Sequence, residues 1–276
     1  VARRTPRGPR PGGGESAKPS WGAELPDKPR FAVGVRGRGP AACAAVSQTQ
    51  TTASGALQAL SYSGCNGGNT TVYVPNVTRR FYGYDVPLII QNLGAASASV
   101  TATFTSFSGT QTVNVALTVA AGRSGVIDPD YTPGLTDQTQ YAVKLVSSQP
   151  IGVVANAHNE AIGPVAFSHN GLATGATSIY APYATKRASS LSPIATSFSP
   201  VVVQNVGGAP TTATLTFTPL LGGTPQIFTL ANIATGASRA FDVRFMNGLA
   251  LPGLSECRTA GATCLGDGDY SLAITT

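Results

Sequence analysis

His158 and His169 are the only imidazoles in a chain of 276 residues, and either would serve as a general base only with a nucleophilic Ser or Cys beside it. His158 is followed by Asn159-Glu160 and His169 by Asn170, and neither stands in a nucleophile-elbow motif. Both fall where a connection between two repeated units should run, so solvated linker side chains are the expected reading. Two carboxylate pairs, Asp128-Pro129-Asp130 and Asp267-Gly268-Asp269, offer hard oxygen ligands, and Asp267 with Asp269 is the better candidate for structural Ca²⁺. An EF-hand-type site needs more oxygens at set spacing than either pair holds, so turn formation is the expected role and no metal or other cofactor is expected. No glycine-rich loop opens a helix, which removes the common phosphate cradle. Catalysis has no visible carrier, and the chain does not read as an enzyme.

Four cysteines form two local pairs, Cys43 with Cys65 and Cys257 with Cys264. An even count in a Thr-rich chain poor in charge favours disulfides formed in an oxidising compartment. Zinc is the weaker reading, because the spacings are not C-x-x-C and both histidines lie far from these residues in sequence. The run Arg79-Arg80-Phe81-Tyr82-Gly83-Tyr84 makes Arg80, Phe81, Tyr82 and Tyr84 a candidate loop for a partner or a glycan, since Tyr and Arg are favoured in binding hot spots. The competing role is a cap of aromatics over one end of a β-structure. Asn69-Thr70-Thr71 and Asn76-Val77-Thr78 match the glycosylation triplet, a pattern that arises readily by chance in a Thr-rich chain.

The elements carrying these residues are strands. Ser99-Val100-Thr101-Ala102-Thr103-Phe104-Thr105 and Thr212-Ala213-Thr214-Leu215-Thr216-Phe217 alternate with period two, and no run reads as a long helix. In addition, one pattern occurs twice. Tyr73-Val74-Pro75, Pro87 to Gly94, Thr103-Phe104-Thr105, Pro133-Gly134-Leu135 and Tyr141-Ala142-Val143 are answered by Tyr180-Ala181-Pro182, Pro200 to Gly207, Thr216-Phe217-Thr218, Asn247-Gly248-Leu249 and Tyr270-Ser271-Leu272. From Gln91/Gln204 to Leu117/Leu230 the register holds without a gap. Two copies of one unit follow. The first predicts strands near 71–77, 86–92, 98–106, 111–118, 124–128, 140–147 and 150–157, the spacing of a β-sandwich. Gln91-Asn92-Leu93-Gly94 and its counterpart Gln204-Asn205-Val206-Gly207 read as strand-ending turns, with Gly at positive φ and Asn bonding locally.

The expected organisation is a basic Pro/Gly-rich arm and Cys-linked segment over 1–66, a sandwich over 67–160, a linker over 161–177 and a second sandwich over 178–276. Residues 1–40 hold Arg3, Arg4, Arg7, Arg10, Lys18, Lys28, Arg30, Arg36 and Arg38 against Glu15, Glu24 and Asp27, which accounts for the whole net charge of +6. The body is neutral, so it offers no basic face with interleaved aromatics, and nucleic acid is not the expected partner. With 11% charged residues, against roughly 25% in typical soluble domains, the surface must be dressed by Thr, Ser, Asn and Gln, in an extracellular style. No run of about 20 apolar residues exists to span a membrane.

By these motifs, residues 73–276 resemble tandem immunoglobulin-like or fibronectin-III-like modules of secreted bacterial surface proteins, in which a strand ending in Q-N-x-G precedes an alternating Thr-rich strand. The chain departs from an immunoglobulin domain proper in lacking a core Trp and an inter-sheet cysteine pair. The resemblance implies an all-β fold of two tandem immunoglobulin-like sandwiches and a surface location. It implies no activity.

After Tyr141 the first copy continues through Pro150 to Ala157, whereas after Tyr270 the second has only Ser271 to Thr276. A sandwich missing its last strand exposes a groove edged by unpaired backbone groups. A donated strand from a neighbouring copy would fill it by β-augmentation. The candidate donor is Phe31-Ala32-Val33-Gly34-Val35, whose Phe31, Val33 and Val35 alternate as Ile151, Val153 and Ala155 do; the segment 56–62 is the second choice. The mundane alternative is a natural chain that continues past Thr276. The expected function is thus a self-assembling structural subunit of a filament or pilus-like assembly. Its rivals are a carbohydrate- or cell-wall-binding module using Tyr82 and Tyr84, and a spacer within a longer secreted protein.

Overall fold

A computed structural model of the chain describes residues 45–51, 57–65, 67–159, 165–186, 198–249, 256–257 and 259–276. These all fall within one compact unit, Ala32–Thr276; the other, Val1–Phe31, lies outside the described residues. The protein is all-β, built from antiparallel sheets. Among the described residues no helix is long and apolar enough to cross a membrane.

A hairpin of β1 (Ala45–Thr51) and β2 (Leu57–Ser63) comes first. The first copy follows as β3 (Asn69–Arg79), β4 (Tyr84–Asp85), β5 (Leu88–Asn92), β6 (Ala98–Ser106), β7 (Thr112–Val119), β8 (Ser124–Ile127), a 3-10 turn at Pro129–Tyr131, β9 (Thr139–Asn159) and β10 (Val165–Asn170). The two segments expected near 140–147 and 150–157 are one strand, β9, which serves two layers. Its first half lies between β6 and β3, giving the order β7-β6-β9-β3; its second half lies between β5 and β10, giving β8-β5-β9-β10. Between the halves sits Ser148-Gln149-Pro150, where Pro150 has no N–H to give a ladder.

The alternation in sequence does what period two demands. Along β6, Ala98, Val100, Ala102 and Phe104 are buried while Ser99 and Thr101 face solvent. They join Val74, Leu88, Ile90, Tyr141, Val143, Ile151 and Val153 in one core between the layers.

The second copy contains β11 (Ser178–Lys186), β12 (Val201–Gln204), β13 (Thr211–Pro219), β14 (Gln226–Ile233), β15 (Ser238–Phe241), a 3-10 turn at Met246–Gly248 and β16 (Gly268–Thr275). Its first layer, β14-β13-β16-β11, repeats β7-β6-β9-β3 strand for strand. A separate core forms around Phe217, whose ring meets Phe228 at 5.9 Å, Phe241 at 5.6 Å and Tyr270 at 5.9 Å between centroids. Among the described residues the second layer, however, is the ribbon β12-β15.

The repeated Q-N-x-G is a structural device. Asn92 Nδ2 donates to Ala96 O at 2.8 Å and Val119 O at 2.9 Å, and Asn92 Oδ1 accepts from Gly94 N at 2.9 Å. Asn205 repeats the set with Ala209 O, Ile233 O and Gly207 N at 2.8, 2.9 and 2.9 Å. The local Asn bond expected from sequence is present, but neither glycine adopts a positive φ. Gly94 is needed for room: a Cβ there would lie 2.9 Å from Gln149 Cβ at the crossing point of β9.

Two further expectations are corrected. The segment 161–177 is not simply a linker, because β10 extends the second layer through β9, and Leu172 exchanges backbone bonds with Tyr73 at 2.7 and 2.8 Å. The second-choice donor, 56–62, is engaged in its own chain: β2 pairs with β1, Gln58 Nε2 donates to Asn159 O and Val165 O, and Ser168 Oγ donates to Ser61 O. The first-choice donor, Phe31, Val33 and Val35, lies outside the described residues.

Replacing Asn205 with Ala should cost about 2–4 kcal/mol, because the buried Ile233 carbonyl, the part-buried Ala209 carbonyl and Gly207 N–H lose their partner. Asn205→Asp should be comparably harmful, since a carboxylate accepts but cannot donate to Ile233 O and Ala209 O. Guanidinium unfolding of both variants beside wild type checks this; an Asp variant as stable as wild type would contradict the donor role.

Candidate functional site

The functional candidate nearest to the fold's own logic is the second layer of the second copy. In the first copy, β5 gives one edge to β8 and the other to the second half of β9. In the second copy, β12 gives one edge to β15, and among the described residues no backbone group bonds its other edge. Side chains report the same vacancy. Val72 is 3% exposed, whereas its counterpart Ile179 is 43% exposed. Leu88 is buried and Val201, in its place, is half-buried. Ala181 and Val201 pack, partly buried, on the core to which Val203 and Ile274 belong. At the Gln204 end the ribbon touches the first copy, where Gln204 Nε2 donates to Val143 O at 3.4 Å.

The loop after β3 forms a second cluster. Arg79 Nε lies 2.6 Å from Asp137 Oδ1, and Arg80 bridges Asp137 Oδ2 and Asp130 Oδ1 at 3.0 Å each. Arg80 N donates to Asp85 Oδ1 at 2.8 Å, Tyr82 N to Gln138 Oε1 at 3.1 Å, and Asn159 Nδ2 to Tyr82 O at 2.8 Å. These bonds hold Arg80, Tyr82 and Gln138 at φ of 51°, 50° and 57°, a conformation that side-chain-bearing residues adopt at a cost of order 1–3 kcal/mol each. The clamp presents Tyr82 edge-on to Phe81 at 4.7 Å and leaves Tyr131, next to Asp130, 84% exposed. Tyr84 is half-buried, its ring 6.1 Å from that of exposed Phe167. The sequence singled out Arg80, Phe81, Tyr82 and Tyr84; Asp130, Tyr131, Asp137 and Gln138 join them only through the fold.

Electrostatics follow this geometry. Burial pushes the Asp85 carboxyl above the ordinary carboxylate range; the bond from Arg80 N opposes this, and neighbouring Asp130 adds to it. The Asp137 carboxyl lies below that range: desolvation alone would raise it, and the combined bonds and charges of Arg79 and Arg80 outweigh that effect.

Asp267 and Asp269 are each committed within the chain. Asp267 Oδ1 stands 4.0 Å from the Lys186 ammonium, and Asp269 Oδ1 accepts from Tyr183 at 3.0 Å. Among the described residues no group of three or more His, Cys, Asp or Glu side chains converges as a metal site. Cys257 and Cys264 are bonded, as expected. Cys65 is exposed and has no disulfide partner among the described residues; its expected partner, Cys43, lies outside them.

The histidines are not solvated linker residues. His158 is in β9 opposite Asp85, and His169 is in β10, where burial lowers its pKa. Neither has a Ser or Cys nucleophile among its hydrogen-bond partners. The fully buried Lys186 went unnoticed in sequence, where it is one basic residue at the end of a Thr- and Tyr-containing strand.

No family model matches the chain, and no curated protein matches it. Among solved structures, Thermotoga maritima 1070 is similar over 40% of this chain and 97% of its own, with 17% identity and a TM-score of 0.34. The Anabaena sensory rhodopsin transducer is similar over 31% of this chain and 92% of its own, with 25% identity and a TM-score of 0.26.

The raised Asp85 carboxyl makes a signed prediction. Between the unfolded and folded values the native state binds the extra proton, so wild-type stability falls as pH rises through that window. Asp85→Asn keeps the acceptor for Arg80 N and removes the charge. It should therefore be more stable than wild type at pH 7, with the gain shrinking as the pH is lowered below the ordinary carboxylate range. Thermal melts of both proteins from pH 3 to pH 7 measure it.

Proposed function

We propose that this protein is a non-enzymatic structural subunit of an extracellular or cell-surface assembly, joined head to tail by an N-terminal strand that enters the second copy of its neighbour. The observation that supports this reading is the contrast between the copies: among the described residues no strand pairs with β12 as the second half of β9 pairs with β5, Ile179 is exposed and Val201 is half-buried. The donor is Phe31-Ala32-Val33-Gly34-Val35. Phe31, Val33 and Val35 on one face match the buried series Ile151, Val153 and Ala155, and their burial would contribute on the order of 4–7 kcal/mol before ordering costs. Backbone bonds to the free edge of β12 would add register. A donor in one copy and an acceptor in the next make a heterologous contact that does not close on itself, which is how filaments grow. The Cys257–Cys264 bond and a surface poor in charge support an oxidising, exterior location.

A second reading, an adhesive module for glycan or cell-wall polymer, is favoured by one observation. The strained loop that displays Tyr82, with exposed Tyr131 beside Asp130, is costly for a simple end cap.

Negative-stain electron microscopy at equal concentration separates the readings. The full chain should form filaments, and both removal of residues 1–40 and the double change Phe31→Asp, Val33→Asp should leave monomers. Filaments of unchanged length in the double variant would sink strand donation by this segment. Monomers in every sample, with glycan-array binding lost on Tyr82→Ala, would establish the adhesive reading instead.

A further inference from the structure

We propose that Cys257–Cys264 is a thiol-exchange site, at which a small thiol attacks Cys257 and the buried ammonium of Lys186 stabilises the departing Cys264 thiolate. It does not depend on strand donation. Lys186 ends β11 and has no solvent exposure. Its Nζ donates to Cys257 O at 3.0 Å and to Leu265 O, and it lies 3.4 Å from Cys264 Sγ, 3.6 Å from Cys257 Sγ and 4.0 Å from Asp267 Oδ1. The fold thus brings one cation against both sulfurs of a disulfide from 71 and 78 positions away in the chain.

A purely structural bridge has no need of a charge beside it, because a disulfide is neutral. Reduction changes that. A thiolate formed at 3.4 Å from an ammonium, out of water, is stabilised by direct attraction, and a stabilised thiolate is a better leaving group. Both sulfurs are near Nζ, so access decides which is attacked. Cys264 is buried and Cys257 is partly exposed, which directs the incoming sulfur to Cys257.

The step balances as ordinary exchange. A thiolate forms a bond to Cys257 Sγ as the Cys257–Cys264 bond breaks, and the electron pair leaves on Cys264 Sγ beside Lys186. A second thiolate takes the first from Cys257, forming a small-molecule disulfide and releasing the Cys257 thiolate; protons come from solvent. Two thiols are oxidised and the protein disulfide becomes a dithiol. The loop so opened is fastened to the turn after β15 by Cys257 N to Arg244 O at 2.8 Å and Asn247 N to Thr263 O at 2.6 Å, so exchange loosens one end of the second copy.

The test is reaction of the full chain with glutathione at neutral pH, acid quenching, and peptide mapping of the mixed disulfide. Wild type should carry the adduct on Cys257 in at least about tenfold excess over Cys264. Lys186→Gln, which keeps nitrogen donors without the charge, should be reduced at least about tenfold more slowly. Equal labelling of the two cysteines, or a Lys186→Gln rate equal to wild type in a folded protein, overturns the proposal. Should that variant fail to fold, the position of the wild-type adduct decides alone.

Discussion

A β-strand's edge must be paired, covered or protected, and in this protein that demand is met in the first copy by a single strand. β9 hydrogen-bonds β3 and β6 with one half and β5 and β10 with the other, so the same 21 residues complete both layers. The buried faces of Leu88, Ile90, Val72 and Val74 are a result of this arrangement, as is the tight meeting of Gly94 with Gln149 where β9 passes between layers. The second copy repeats the first half of the device as β16, and among the described residues nothing pairs with β12 as the second half of β9 pairs with β5. Its aromatic core around Phe217 closes the first layer well, while β12 and β15 form only a ribbon. The proposal of assembly rests on that one difference, with the half-buried Val201 and the edge of β12 that is unbonded among the described residues.

Much of this was legible in sequence because strands with one dry face announce themselves by period two. β6, β7 and β13 alternate cleanly, and the repeat carried the reading from one copy to the other. What escaped it depended on long-range partners. The continuity of β9 was hidden by Ser148-Gln149-Pro150, which reads as a turn and is instead a crossing between layers. Asn92 and Asn205 were legible as turn formers, but their bonds to Val119 O and Ile233 O join residues 27 and 28 positions apart. Arg80 was visible as a surface cation, whereas Asp130 and Asp137, which hold it in place, approach from another loop. Lys186 carried no local signal, since burial of a lysine is decided entirely by what folds over it.

Both proposed sites lie in the second copy. The connection between the 3-10 turn at Met246–Gly248 and β16 is longer than that between Pro129–Tyr131 and β9, and the disulfide and Lys186 at the end of β11 fasten it. The single pairing of β12 among the described residues and the braced loop are both departures from the first copy, where β5 is paired on both edges.

The order of strands also sets the order of events in time. In each copy the strand at the centre of the first layer, β9 or β16, follows in the chain the strands it separates, β3 and β6 or β11 and β13. Neither layer can be completed while the chain is still emerging up to that point, so the apolar faces of β3, β5 and β6 wait, unsheltered, for residues 139–159. Contacts of such long sequence separation make folding slow and leave the waiting strands open to wrong partners. A chain of this design therefore gains from delaying its compaction until the central strand arrives, and its Thr- and Ser-rich outer faces help keep the waiting strands in solution.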